Sequence, residues 1–218
     1  MSEERYKKLS DCDDNEIKSE FHRMSDDGKR GFFAFNMARA NTDIVLMLMD
    51  EGMVIAENEF SLHTPASKKN CFKFFKALHE RGVNLRCGGD ILMFKACLND
   101  NTPSLDTIMF LGSLIPEQDS RGAYLSFLNI MYKNLDNKNA DGKLSKNCEA
   151  VMEYMATKLS AEKMRECANL VSQKSHTCPK NSAFLSKKAF YLALNKGLAA
   201  STDEQNEAEV QQATKMKI

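Results

Sequence analysis

Asn41-Thr-Asp-Ile-Val-Leu-Met-Leu-Met-Asp-Glu-Gly52 and Cys71-Phe-Lys-Phe-Phe-Lys-Ala-Leu-His-Glu-Arg-Gly82 look like copies of one pattern, an apolar segment at helical spacing that ends on a charged pair and a glycine. In the first, Ile44, Val45, Leu48 and Met49 fall on one helical face. A glycine directly after such a face predicts a helix closed in the left-handed conformation, which costs a residue without Cβ nothing. Gly52 and Gly82 lie 30 residues apart, within the range of periods that build stacked arrays. The expected architecture is therefore a pile of helix pairs.

Composition agrees. The 218 residues include 43% hydrophobic side chains, enough for a sizeable core, and few Pro and Gly, which favours helices over the tight turns of a sandwich. The expected class is all-α. Thirty Lys+Arg against thirty Asp+Glu give no net charge, which removes the bulk electrostatic case for nucleic acid or an anionic membrane. The seven cysteines, at 12, 71, 87, 97, 148, 167 and 178, are odd in number and form no Cys-x-x-Cys pair. They read as reduced, structural thiols rather than a disulfide framework or zinc ribbon. The longest strongly apolar run, Ile44 to Met49, is far too short to span a bilayer. An acidic start without a following apolar block predicts no Sec-type leader. Together these features predict a cytoplasmic protein.

Outward from the paired segments, the chain reads as successive helix pairs. Asp13-Asp14-Asn15 can cap a short helix bearing Ile17, Phe21 and Met24, so residues 1–30 are expected to form an N-terminal capping segment. A repeat domain is expected over 31–197. Phe32 to Ala40 and Thr42 to Glu51 would form its first pair, and Ser61 to Ala66 with Cys71 to Arg81 the second. Asp90 to Cys97 with Leu105 to Ile115 would form the third. Ala123 to Leu135 with Cys148 to Leu159, then Ala161 to Gln173 with Ser186 to Leu194, continue the pattern to Asn195-Lys196-Gly197. Residues 198–218 lose apolar periodicity and read as a polar tail, mobile or helical, with capping-box spacing at Ser201 to Glu204.

Helix-Glu80-Arg-Gly-Val-Asn-Leu85 resembles the ending of ankyrin repeats, and Leu62-His63 with Pro65-Ala66 is similar, in scrambled order, to their Thr-Pro-Leu-His-x-Ala opening. The likeness covers about residues 31 to 115 and continues beyond them only as helix pairs. It implies a degenerate ankyrin-like solenoid that binds another protein along inter-repeat loops and the starts of inner helices. On that reading the partner-binding residues are Asn58, His63, Lys68, Arg86, Asp90 and Lys95. The small residues and acidic cluster of the tail, Asp203, Glu204, Glu207 and Glu209, are similar to the glutamate-rich C-terminal signals of type IV secretion effectors from intracellular pathogens such as Legionella. That resemblance implies delivery into a host cytoplasm by a non-Sec route.

Other chemistry has thin support. Asn137, Asn139, Asp141 and Gly142 occupy EF-hand-like positions, but position twelve is Cys148 where calcium wants a bidentate Glu. A solvated turn is the expectation. The four histidines, 22, 63, 79 and 176, are scattered, and His176 with Cys178 is a lone His-x-Cys. Ser160-Ala-Glu-Lys163 lacks the companions of a Ser-x-x-Lys enzyme, and Ser160 suits a helix N-cap. No phosphate-cradling glycine loop is present. No catalytic residue, metal or cofactor is expected, and Phe32, Phe33, Phe35, Phe72, Phe74 and Phe75 are expected to serve the core. The competing classes are an enzyme on a helical scaffold, with a Cys/His or carboxylate site assembled in space, and a calcium-responsive helical protein.

Overall fold

A computed structural model describes residues 2–55, 62–68, 71–98, 104–135, 146–173 and 179–215, with backbone alone at 87–89, 179–180 and 200–215. The protein is all-helical over these residues. It divides into two compact units, Met1–Pro116 and Glu117–Ile218, a division that falls inside the 31–197 span read as one array.

The first unit contains α1 (Glu3–Ser10), α2 (Asp14–Arg23), α3 (Asp26–Arg39), α4 (Thr42–Asp50), α5 (His63–Ala66), α6 (Phe72–Glu80), α7 (Cys87–Cys97) and α8 (Leu105–Ser113). Its packing follows a regular pattern. α3 lies against α4 and α5, α5 against α7, α4 against α6, α6 against α8, and α7 against α8. Helices α3, α5 and α7 thus form one row, and α4, α6 and α8 a second. The core between them is made by Phe32, Val45, Leu48, Phe74, Phe75, Leu78 and Ile108, each at most 1% exposed. Phe33 and Phe35 are buried too, while Phe72 is half-buried with its ring edge-on to Phe110 at 5.7 Å. The aromatic stripes are therefore packing surfaces in the structure.

The two glycine closures have the same geometry. Gly52 has φ 96° and Gly82 φ 80°. At the first, Met53 N–H donates to Leu48 C=O and Gly52 N–H to Met49 C=O, both at 3.0 Å. At the second, Val83 donates to Leu78 at 3.0 Å and Gly82 to His79 at 2.9 Å. Each is a Schellman closure, in which the reversed chain satisfies carbonyls that the helix end leaves without partners. A third sits one helix earlier, where Asn41 N–H donates to Asn36 at 3.1 Å and Ala40 to Met37 at 3.0 Å. There the left-handed residue is Ala40, at φ 57° and ψ 37°. No such reversal ends α8, whose Gly112 is buried inside the helix and whose C-cap Leu114 stays right-handed.

The N-terminal segment is more structured than one capping helix. Asp13 caps α2 as expected, its carboxylate accepting from Glu16 N–H at 2.9 Å. Before it, α1 packs Tyr6 against the rings of Phe32 and Phe35 on α3. Gly31 permits that approach, because a Cβ there would collide with the Tyr6 hydroxyl. Ser25 caps α3, which begins at Asp26, well before Phe32.

The second unit holds α9 (Arg121–Leu135), α10 (Lys146–Thr157), α11 (Ala161–Ser172) and α12 (Pro179–Lys215). Ser160 caps α11 as read from sequence, accepting from Lys163 N–H at 3.2 Å. α12 lies along α11, with Ser182 Oγ donating to Val171 C=O at 2.9 Å and Ser186 Oγ to Ala168 C=O at 3.1 Å. Lys196 Nζ donates to the carbonyls of Ala156, Thr157 and Leu159 at 3.3, 3.1 and 2.5 Å, capping the end of α10. Two expectations change here. Gly197 lies inside α12 and does not close it, and Ser201 is interior to that helix, so the spacing to Glu204 marks no helix start. The helix runs on because Ala, Glu, Gln and Lys dominate the 198–215 stretch, and their high propensity carries a helix through polar sequence.

Candidate interaction surface

The described residues among those assigned to recognition, His63, Lys68, Arg86, Asp90 and Lys95, fall on or beside α5 and α7. His63 opens α5, a single turn whose Pro65 and Ala66 are buried and whose Ser67 Oγ closes back on Thr64 C=O at 2.8 Å. Lys95, on the neighbouring α7, lies close enough to bias its protonation: burial first, and then the Lys95 charge, hold the imidazole below its ordinary value. The neutral ring is the form favoured near pH 7. Lys68 is exposed just beyond α5.

Arg86 and Asp90 are brought together at the start of α7. Arg86 Nε donates to Asp90 Oδ1 at 3.2 Å. Asp90 is only 7% exposed and its backbone is left-handed at φ 66°, a conformation that aspartate visits more readily than most residues and that still costs energy. The carboxylate is thus held against one guanidinium and does not project as a free recognition group. Asn58 lies outside the described residues. So does most of the Asn137 to Cys148 loop read against calcium; its last residue, Cys148, is a buried core thiol of α10.

The helix closures on the other row carry their own charges, and these are spent internally. Glu51 forms an ion pair with Lys18 at 3.3 Å and lies 3.0 Å from His22 Nε2, both on α2. Asp50 and Arg81, next to the two matching glycines, form a two-pronged pair that ties the end of α4 to the end of α6. The Arg81 hydrogen bond holds the Asp50 carboxyl below its ordinary value of 3.8. Sequence reading missed this tie because it is one residue out of register: aligned on the glycines, Arg81 is equivalent to Glu51, and it reaches Asp50 instead.

Several clefts open on the first unit. One of about 290 Å³ is lined by His79, Asn84, Arg86 and Leu114 together with the Gly82 turn. A second, about 330 Å³, lies between Arg5, Arg23 and the start of α3, and a third, about 370 Å³, is edged by Asp11, Asp14 and Asp43. None of the three pairs a cysteine with a histidine. No group of three or more His, Cys, Asp or Glu that could hold a metal occurs among the described residues.

Cys12, Cys71, Cys97, Cys148 and Cys167 are in no disulfide, and the last four are buried. Burial raises the Cys71 thiol, and burial followed by the nearby Glu166 carboxylate pushes Cys167 up to about 12. Such thiols stay protonated and unreactive near neutrality. Beside Cys167, Tyr124 donates to Glu166 at 2.8 Å, and burial, then that bond, raises the phenol. No helix among the described residues is long and apolar enough to cross a membrane. Compared with protein-family models, with curated proteins and with solved structures, the chain matches none.

Proposed function

We propose that the first unit is a protein-interaction module, a degenerate ankyrin-like stack of the pairs α3/α4, α5/α6 and α7/α8 that receives another protein on the α3, α5, α7 row. The observation that carries this reading is the neighbour pattern: inner helices meet inner helices, outer meet outer, and matching left-handed glycines recur 30 residues apart. In such arrays each repeat contacts only its neighbours, so the surface extends by addition and suits an extended partner. Lys68, Lys95 and His63 would contribute directly, with Arg86 and Asp90 setting the shape of the α7 start. The acidic tail composition supports a further element of the reading, delivery as a secreted bacterial effector acting on a host protein.

The test compares partners retained by the full chain with those retained by Lys68→Glu combined with Lys95→Glu. Charge reversal at the exposed Arg165 of α11 serves as the control. A partner lost from the double variant and kept by Arg165→Glu supports the assignment; a partner set unchanged by the double variant removes it. A translocation reporter fused to the chain, with and without residues 198–218, tests export separately.

A further inference from the structure

We propose that α12 pairs with α12 of a second copy of this chain, antiparallel, through the stripe Tyr191, Leu194 and Leu198. One face of α12 is the core of the second unit, with Leu185, Ala189 and Ala193 at most 1% exposed against α11. The opposite face is unlike the rest of the protein. Phe190, Tyr191, Leu194 and Leu198 are 43%, 59%, 54% and 57% exposed, and Phe184, Lys187, Lys188, Phe190, Tyr191 and Leu194 line a shallow groove of about 500 Å³. Positions 187, 191, 194 and 198 follow the 4-3-4 spacing of a helix seam.

Length and charge select the occupant. α12 has 37 residues against 12 in α11, roughly 55 Å against 18 Å at the helical rise. The helix therefore runs well past the length of α11. Its charge is polarised: Lys180, Lys187, Lys188 and Lys196 occupy the first half, and all its acids, Asp203, Glu204, Glu207 and Glu209, the second, where Lys215 at the very end is the one cation. In a parallel pair like charges meet. In an antiparallel pair that sets Leu194 beside Leu198 of the other copy, Lys187 falls next to the 203–207 stretch of that copy. Lys188 is already held by Glu149 at 2.6 Å and Glu153 at 3.0 Å, which leaves Lys187 as the seam cation.

The area sets the expected strength. The four exposed side chains offer on the order of 350 Å² for burial, less than half of the ~800 Å² per partner of a standard stable interface. The contact is accordingly a reversible dimer in the micromolar range, strengthened by the helix turns that flank the seam.

Sedimentation velocity on the full chain, from low micromolar to several hundred micromolar, tests it. A monomer–dimer equilibrium is expected. Leu194→Glu, at an exposed position where folding should persist by circular dichroism, weakens it by about tenfold or more. Lys187→Glu weakens it, and Lys187→Glu combined with Glu204→Lys restores it. A monomer throughout overturns the proposal. So does an unchanged dimer in Leu194→Glu, a dimer that Lys187→Glu leaves unchanged, or a monomer that binds anionic phospholipid vesicles through the same stripe.

Discussion

The three Schellman closures of the first unit form a natural experiment, because the same hydrogen bonds are made around glycine at 52 and 82 and around alanine at 40. Nothing lies within 4 Å of a Cβ built on Gly52 or Gly82, so replacement by alanine brings no clash and its cost is backbone conformation alone. A left-handed L-residue costs about 1–2 kcal/mol, and the reduced freedom of the unfolded chain returns about 0.4–1 kcal/mol. The net expectation for Gly82→Ala is a loss of about 1 kcal/mol. Gly52→Ala should lose more, since its φ of 96° lies further than the 80° of Gly82 from the ordinary left-handed value. Ala40 already sits near that value, at 57° and 37°, so Ala40→Gly should gain only about 0.5 kcal/mol. Gly197, interior to α12 and with open space around its Cβ position, supplies the opposite sign: Gly197→Ala should stabilise the second unit by about 0.5–1 kcal/mol. Urea unfolding followed by circular dichroism, fitted with separate transitions where the two units resolve, gives all four values. Gly82→Ala as stable as the parent, or Ala40→Gly less stable than it, would refute the conformational reasoning.

Ser126 is fully buried on α9 and its hydroxyl finds no hydrogen-bond partner; Ser126→Ala should raise stability in urea by about 1 kcal/mol, and a loss would mean that the hydroxyl is satisfied after all. Because Arg81 lowers the folded-state value of Asp50, their pair stabilises the protein above pH 3.8 and the benefit disappears as pH falls through the lower folded value. The difference in unfolding midpoint between the parent and Asp50→Asn should therefore be small but present near neutrality and vanish at strongly acid pH; both side chains are substantially exposed, so salt should shrink it too. Thiol titration with an aromatic disulfide should find Cys71, Cys97, Cys148 and Cys167 protected in the native state and all seven cysteines reactive after unfolding. Rapid native labelling at Cys167 would contradict its burial.

Sequence was most legible where structure is most local. The faces of α4 and α6, the glycines that end them and the caps at Asp13 and Ser160 each depend on a few neighbouring residues, and each appears where the pattern placed it. The Ala40 reversal was illegible because propensity argues against alanine in that conformation. What surrounds it is tertiary: Asn36, fully buried, donates to Phe32 C=O while accepting from Ser10 and from Asn41, which bridges α1, α3 and the turn itself. Helix α1 was missed for a related reason. Its buried side chains are only Tyr6 and Leu9, too few for periodicity to register, and Tyr6 finds its place because Gly31, on a distant part of the chain, leaves room. A helical tail was one of two readings of 198–218, but its continuity with α12 through Gly197 went unread, because apolar spacing fades there while helix propensity does not. Among the site residues, sequence could place Arg86 and Asp90 four apart, yet the approach of Lys95 to His63 depends on α5 and α7 being packed side by side.

The distribution of charge in the first unit is one reason for proposing recognition on the α3, α5, α7 row and not on the helix closures. At the closures the ionic groups already have partners across the repeats: Glu51 with α2, and Asp50 with Arg81. Each exposed pair contributes little to stability, but together they fix which closure faces which, and a ligand bound there would have to displace them and find equivalent partners for both members. On the proposed reading Lys68, exposed beside α5, and Lys95, whose charge reaches His63, offer positive charge to a partner carrying carboxylates. Arg86 and Asp90 are the exception within that row. Their mutual bond makes them part of the scaffold, and a partner that reads Arg86 must do so with Asp90 still attached.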